Sequence, residues 1–214
     1  MSKKPDKKGG GIAVFLLVFG WLTFILLCVI FYFYFFEDFK SVFNKSDTRK
    51  KNEMVTEYEL NQYPEINELI STYYNGLSTC NQATLKSLVK DPSAFDDMSS
   101  YETKAQAITA YTNIQCYTVP GYYEGDYICY AICNLSLTGI QSRPLNINQF
   151  YISKNNDGYL IDNNIEDNDI IQFINTVHES ENVQNLYKTV KDDVDRCALE
   201  DAGFAEFYNK VMSQ

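Results

Sequence analysis

The chain of 214 residues carries 28 acidic and 18 basic side chains, a formal charge of −10. From residue 63 onward the excess is steeper, 21 acidic against 9 basic, a balance that repels phosphate backbones and argues against nucleic acid as a partner. A single histidine, His178, and the absence of any C-x-x-C pair leave no ordinary ligand set for zinc.

The first ten residues, MSKKPDKKGG, form a short basic tail with Lys3, Lys4, Lys7 and Lys8 against Asp6. Residues 11–36, GIAVFLLVFGWLTFILLCVIFYFYFF, then run without a charge or a proline. As a helix this stretch reaches roughly 39 Å, enough to cross a hydrocarbon core of about 30 Å with some tilt. The aromatic run 31–36 places amphipathic rings at one headgroup layer. The apolar run is too long for a signal peptide and ends in bulky rings with no small-residue cleavage site. The expectation is an uncleaved transmembrane anchor. The lysines closest to it favour a cytoplasmic N-terminus, with the bulk of the chain outside the plasma membrane.

Residues 37–62 are polar and charged, with little apolar periodicity, and read as a linker. Residues 64–77, PEINELISTYYNGL, carry Ile66, Leu69, Ile70, Tyr73 and Leu77 at the spacing of one buried helix face, with Pro64 suited to the first turn. A short helix is expected over 82–89, with Leu85, Leu88 and Val89 inward, stopped at Asp91-Pro92. A weaker one is expected over 99–110.

Then the period changes from helical to alternating. Residues 111–119 read as a strand and 120–126 as a turn region. Residues 127–138, YICYAICNLSLT, form the clearest strand, with Cys129, Ala131, Cys133, Leu135 and Leu137 on one apolar face. Residues 144–154 and 159–165 read as two further strands about the turn Asn155-Asn156-Asp157-Gly158. The four make an antiparallel meander. From Asp167 the helical period returns. One helix is lined by Ile170, Ile171, Phe173, Ile174 and Val177, and a second by Val183, Leu186, Tyr187, Val190 and Val194. A last short one carries Phe204, Phe207, Tyr208 and Val211.

The order of elements, with the helix I-x-x-L-I-x-x-Y-Y-x-x-L at 66–77, the helix bearing Leu85, Leu88 and Val89, and four antiparallel strands, resembles the nuclear transport factor 2-like (cystatin-like cone) superfamily. In particular it is similar to single-pass, extracytoplasmic members from Gram-positive bacteria. The resemblance spans about residues 64–165 and leaves the helical tail unexplained. It implies a sheet wrapped around the first helix. The enzymes of that superfamily place an Asp, His or Tyr deep in the cone, but His178 lies in the tail, where a helix-end role fits it better.

The expected architecture is α+β: tail 1–10, transmembrane helix 11–36, linker 37–62, a helices-plus-antiparallel-sheet cone over 63–165, and a C-terminal helical extension over 166–214. Tyr73, Tyr74, Tyr111 and Tyr130 are the candidate lining of a cone pocket. No catalytic residue, metal ligand or cofactor is indicated. A calcium loop starting at Ser153 would have Ser at its first position and Asn164 at its twelfth, so residues 153–158 read as a hairpin turn. Asp162, Glu166, Asp167 and Asp169 read as a solvated loop with a helix cap. The triplet Asn134-Leu135-Ser136 falls in a strand and gives no glycosylation signal. Of the cysteines outside the apolar stretch, Cys129 and Cys133 share a face about 13 Å apart, too far to bridge. Cys116 can face either across a hairpin, and five thiols cannot all pair.

The functional expectation is a membrane-anchored, extracytoplasmic interaction or scaffold module without catalytic activity, its partners the lipid bilayer and another envelope protein. Two alternatives stand beside it. One is a receptor for a small molecule or cell-wall fragment in the cone pocket, and the other is a structural part of a secretion or conjugation apparatus.

Overall fold

The computed structural model describes residues 49–212. The expected basic tail, the transmembrane stretch 11–36 and the first part of the expected linker lie outside the described residues. No helix among the described residues is long and apolar enough to cross a membrane.

The helix α1 (Pro64–Ser78) forms as its spacing predicts, with Pro64 in the first turn and Glu65 near the positive helix end. It buries Ile66, Leu69, Ile70 and Tyr74, while Tyr73 is only partly covered. A Cβ on Gly76 would lie 3.0 Å from Leu85 Cδ2, so the glycine lets the next helix sit close. That helix, α2 (Gln82–Ser87), is capped by the Asn81 side chain accepting from the Thr84 amide. Asp91 caps the 3-10 turn Pro92–Phe95 in the same way. The helix α3 (Ser99–Ala107) fully buries no residue. It leads directly into the sheet, three residues earlier than the sequence suggested.

Five antiparallel strands follow one another across the sheet: β1 (Glu59–Leu60), β2 (Ile108–Pro120), β3 (Tyr127–Leu137), β4 (Leu145–Asn155) and β5 (Gly158–Ile161). β2 slips register between Thr112 and Gln115. There Asn113 adopts a left-handed backbone, φ 52°, which asparagine tolerates better than most residues. β5 stops at Ile161, short of the expected 165. Asp162 turns inward, donating its amide to the Tyr151 carbonyl and accepting from Lys90 and Ser153, so the chain leaves the sheet.

Three helices complete the chain: α4 (Asn168–His178), α5 (Glu181–Glu200) and α6 (Ala202–Met212). They answer what the tail does. Cys129, Ala131 and Cys133 of β3 pack with α1 and α2, whereas Ile128, Tyr130 and Ile132 pack with α4 and α5. The sheet is therefore covered on both faces, and β3 is buried from Ile128 through Cys133 without alternation. Ile171 and Val211, expected inward, are 39% and 53% exposed. A third small core joins Leu137, Cys197 and Phe204 under α6.

Residues 49–62, expected as linker, are instead a strap fixed to the sheet. Their order comes from backbone and polar groups, which carry no apolar period. Asn52 donates its amide to the Tyr122 carbonyl and its side-chain amide to the Gly121 and Tyr123 carbonyls, while Asn61 donates its amide to the Cys116 carbonyl and accepts the Cys116 amide on its side chain. Tyr58 meets Tyr117 edge-on at 5.0 Å. The Arg49 guanidinium donates to both oxygens of the buried Asp126.

Candidate ligand cavity

On the α1 side of the sheet a cleft of about 510 Å³ opens between α1, α3 and strands β2 to β4. That size lies within the range of about 300–1,000 Å³ of ordinary ligand sites. Tyr73 and Leu77 come from α1, Tyr101, Lys104 and Ala105 from α3, and Tyr111 and Leu135 from β2 and β3. β4 contributes Asn146, Asn148 and Phe150, which pair with Cys133, Ala131 and Cys129 and so share the inner face of the sheet. Those two amides break an otherwise apolar inner face, and Gln149, Lys104 and three tyrosines complete the polar part of the lining.

The four tyrosines expected together are divided. Tyr73 and Tyr111 line the cleft. Tyr74 lies behind it, its ring stacked on Tyr111 at 4.7 Å and its hydroxyl accepting from the Asn148 amide at 3.0 Å. Tyr130 is on the opposite face, packed near Tyr187 and His178. This placement corrects the expected grouping, and the cause is strand parity. Residue 130 must point away from the face that holds Cys129 and Ala131.

Among the described residues, the hydroxyls of Tyr73, Tyr101 and Tyr111 have no protein hydrogen-bond partner, as is also true of Tyr130 on the opposite face, whereas those of Tyr74, Tyr122 and Tyr151 are bonded. Burial, then the nearby Tyr101 and Tyr111, push the Tyr73 phenol up to about 12. Burial likewise raises Tyr111, with a further contribution from Cys133. These phenols keep their protons near neutral pH and act as neutral hydrogen-bonding groups. Lys104 is the one charged residue of the lining.

Tyr101, Lys104, Asn146, Asn148 and Gln149 are the polar lining residues that sequence reasoning missed. The asparagines had a signal. Alternation along β4 places 146 and 148 with Phe150 and Ile152, so polar residues at core-facing positions were readable once the strand was in register. Tyr101 and Lys104 had none, since α3 is barely amphipathic.

The other acidic and thiol candidates serve the fold. Asp167 caps α4, Asp169 bonds Tyr122 and Lys51, and Asp162 anchors the end of β5. The five cysteines of the described residues are unpaired. A hydrogen bond to Cys116 and deep burial push the Cys129 thiol up. Among the described residues, no three His, Cys, Asp or Glu side chains gather to hold a metal ion. His178 closes α4 and meets the Tyr187 ring at 4.9 Å.

Compared with protein-family models, curated proteins and solved structures, the chain matches none.

Proposed function

We propose that the chain is a membrane-anchored receptor whose extracytoplasmic domain binds a ligand in the cleft between α1, α3 and the sheet, without catalysing a reaction. One observation carries the reading: three unclaimed tyrosine hydroxyls and two inner-face asparagine amides converge on a single cavity of about 510 Å³. None of these groups is sealed in the core without a partner, so they stand open to the cleft and can exchange water for a guest that offers matching hydrogen bonds. The lining holds no carboxylate or histidine to move a proton at neutral pH, and the Tyr73 phenol is held too high for that task. The apolar stretch 11–36 supplies the anchor, and the lysines before it support the outward placement. This favours a receptor over a docking platform for an envelope protein.

The test is co-purification. The full chain and its Ala105→Trp variant, which fills the cleft, are isolated in parallel from membranes and their bound small molecules compared by mass spectrometry. A species held by the natural chain and lost in the variant is expected. Added back at a hundredfold its Kd, it raises stability by about 2.7 kcal/mol. Identical extracts from the two proteins overturn the reading.

A further inference from the structure

Beside the cleft lies a second concavity of different chemistry. It measures about 730 Å³ and is walled by Leu137, Pro144, Val194, Phe204, Phe207 and Val211. The two adjoin: Lys104, Ile108, Leu135 and Asn146 line both. One end of the joined site offers tyrosine hydroxyls and amides, and the other offers mainly aliphatic and aromatic side chains from α6 and the sheet, with Tyr208 and Lys210 also in its lining. Lys104 stands at the junction. Neither lining contains a carboxylate, though residues 63–214 carry 21 acidic and 9 basic side chains. Among the described residues Lys104 has no ion-pair partner. Its closest described charge interaction is with the Tyr101 ring, 5.9 Å from the ammonium.

We infer that the ligand is an anionic amphiphile, a single-chain lipid with a phosphate between a hydroxyl-bearing headgroup and its acyl chain. The headgroup hydroxyls pair with Tyr73, Tyr101, Tyr111 and the Asn146 and Asn148 amides, each able to exchange hydrogen bonds with a polyol. The phosphate meets the Lys104 ammonium, a compact cation suited to it. The acyl chain lies in the apolar concavity and covers Leu137, Phe204 and Phe207. Order along the ligand matches order along the site: polar, anionic, apolar. A soluble sugar or a free phosphate accounts for the first part or the second and leaves the apolar wall uncovered. The inference rests on the cleft being the ligand site proposed above.

The probe is lysophosphatidylglycerol with a diazirine at the end of its acyl chain, added to the full chain in phosphatidylcholine nanodiscs. After irradiation, crosslinked peptides are mapped. Crosslinks are expected on residues 202–211 and near Leu137, competed by unlabelled lysophosphatidylglycerol and not by glycerol phosphate. Lys104→Glu, an exposed position, lowers them at least tenfold with an unchanged melting temperature, and Phe207→Ser, which also thins the small core under α6, lowers them from the apolar end. Crosslinks confined to residues 11–36, or unaffected by Lys104→Glu, overturn the inference. If Ala105→Trp still strips a bound small molecule while α6 is never labelled, the cleft remains a ligand site and the amphiphile is excluded. If neither occurs, both readings fall.

Discussion

The Asp126 carboxylate, wholly buried at the end of the sheet, accepts the Arg49 guanidinium at 2.9 Å across 77 positions of sequence. It also accepts from the Tyr151 hydroxyl and the Lys154 amide, at 3.0 and 3.1 Å. Burial nevertheless holds this carboxyl above its usual range, against the lowering effect of those partners. Arg49 thus compensates a charge that the fold has already desolvated, and it fixes the strap at the first described residue.

Removing the cation leaves the carboxylate buried with less compensation. Arg49→Met is expected to cost about 1–3 kcal/mol. Asp126→Asn combined with Arg49→Met should cost less than the two single changes added, because the partners belong to one network. Urea denaturation of the full chain in micelles, followed by far-ultraviolet circular dichroism, measures both. An Arg49→Met midpoint equal to the natural one would show that the strap is held by its backbone pairing alone.

The turn that presents Asp126 depends on Gly121. A Cβ there would lie 2.8 Å from both the Asp126 carbonyl carbon and the Tyr127 amide nitrogen, which are backbone atoms with nowhere to move. The Gly121 amide also donates to the Asp126 carbonyl at 2.7 Å. Gly121→Ala is therefore expected to destabilise by about 1–3 kcal/mol through overpacking. Gly139, with open space where its Cβ would be, serves as a comparison of a different kind: alanine there pays only for its positive φ of 74°. Thermal melting of the two variants should rank Gly121→Ala lower.

Asp201 links α5 to α6 and ties both to the loop before β4. It accepts from the Ser142 amide and hydroxyl and from the Phe204 amide, and these bonds, the Ser142 amide first, push its carboxyl down to about 2. A carboxyl held below its unfolded value binds fewer protons in the folded chain. Its stabilising effect is then complete above the ordinary value of 3.8 and is lost as pH falls towards 2. Hydrogen-exchange protection of α6 amides should drop across that window. In Asp201→Ala it should already be low at pH 5, with no further step attributable to this site.

Much of this fold was legible because it follows apolar period. Ile66, Leu69 and Ile70 announced α1, the run 128–133 announced the central strand, and Val183, Leu186 and Val190 announced α5. What escaped was held by polar and backbone groups. Nothing near Arg49 points to Asp126, and nothing in the strap alternates. The double burial of β3 was half visible, since Ile128, Tyr130 and Ile132 are as apolar as their odd-numbered neighbours. Reading only the odd face assigned Tyr130 to the cavity, though the parity rule already in use placed it opposite. A pocket lined by Tyr73 and Tyr111 was expected, but its amides escaped, because Asn146 and Asn148 look like surface polarity until β4 is paired with β3.

That division of the tyrosines gives opposite expectations for two changes of equal size. Tyr74 and Tyr130 are each almost wholly buried, at 1% and 0% exposure. The Tyr74 hydroxyl accepts from Asn148 at 3.0 Å, whereas the Tyr130 hydroxyl has no hydrogen-bond partner. Tyr74→Phe keeps the ring stacked on Tyr111 but deprives the Asn148 amide of its acceptor, a loss of about 0.5–1.5 kcal/mol. Tyr130→Phe removes a hydroxyl that is desolvated without return, so it should be neutral or stabilise by up to about 1 kcal/mol. The second readout is ligand retention. Tyr74→Phe releases Asn148, which lines the cleft, and should alter binding there, while Tyr130→Phe, across the sheet, should leave it unchanged. Equal losses of stability and ligand in both variants would mean that the two faces of the sheet do not act separately, and the cleft would lose its claim to be the binding site.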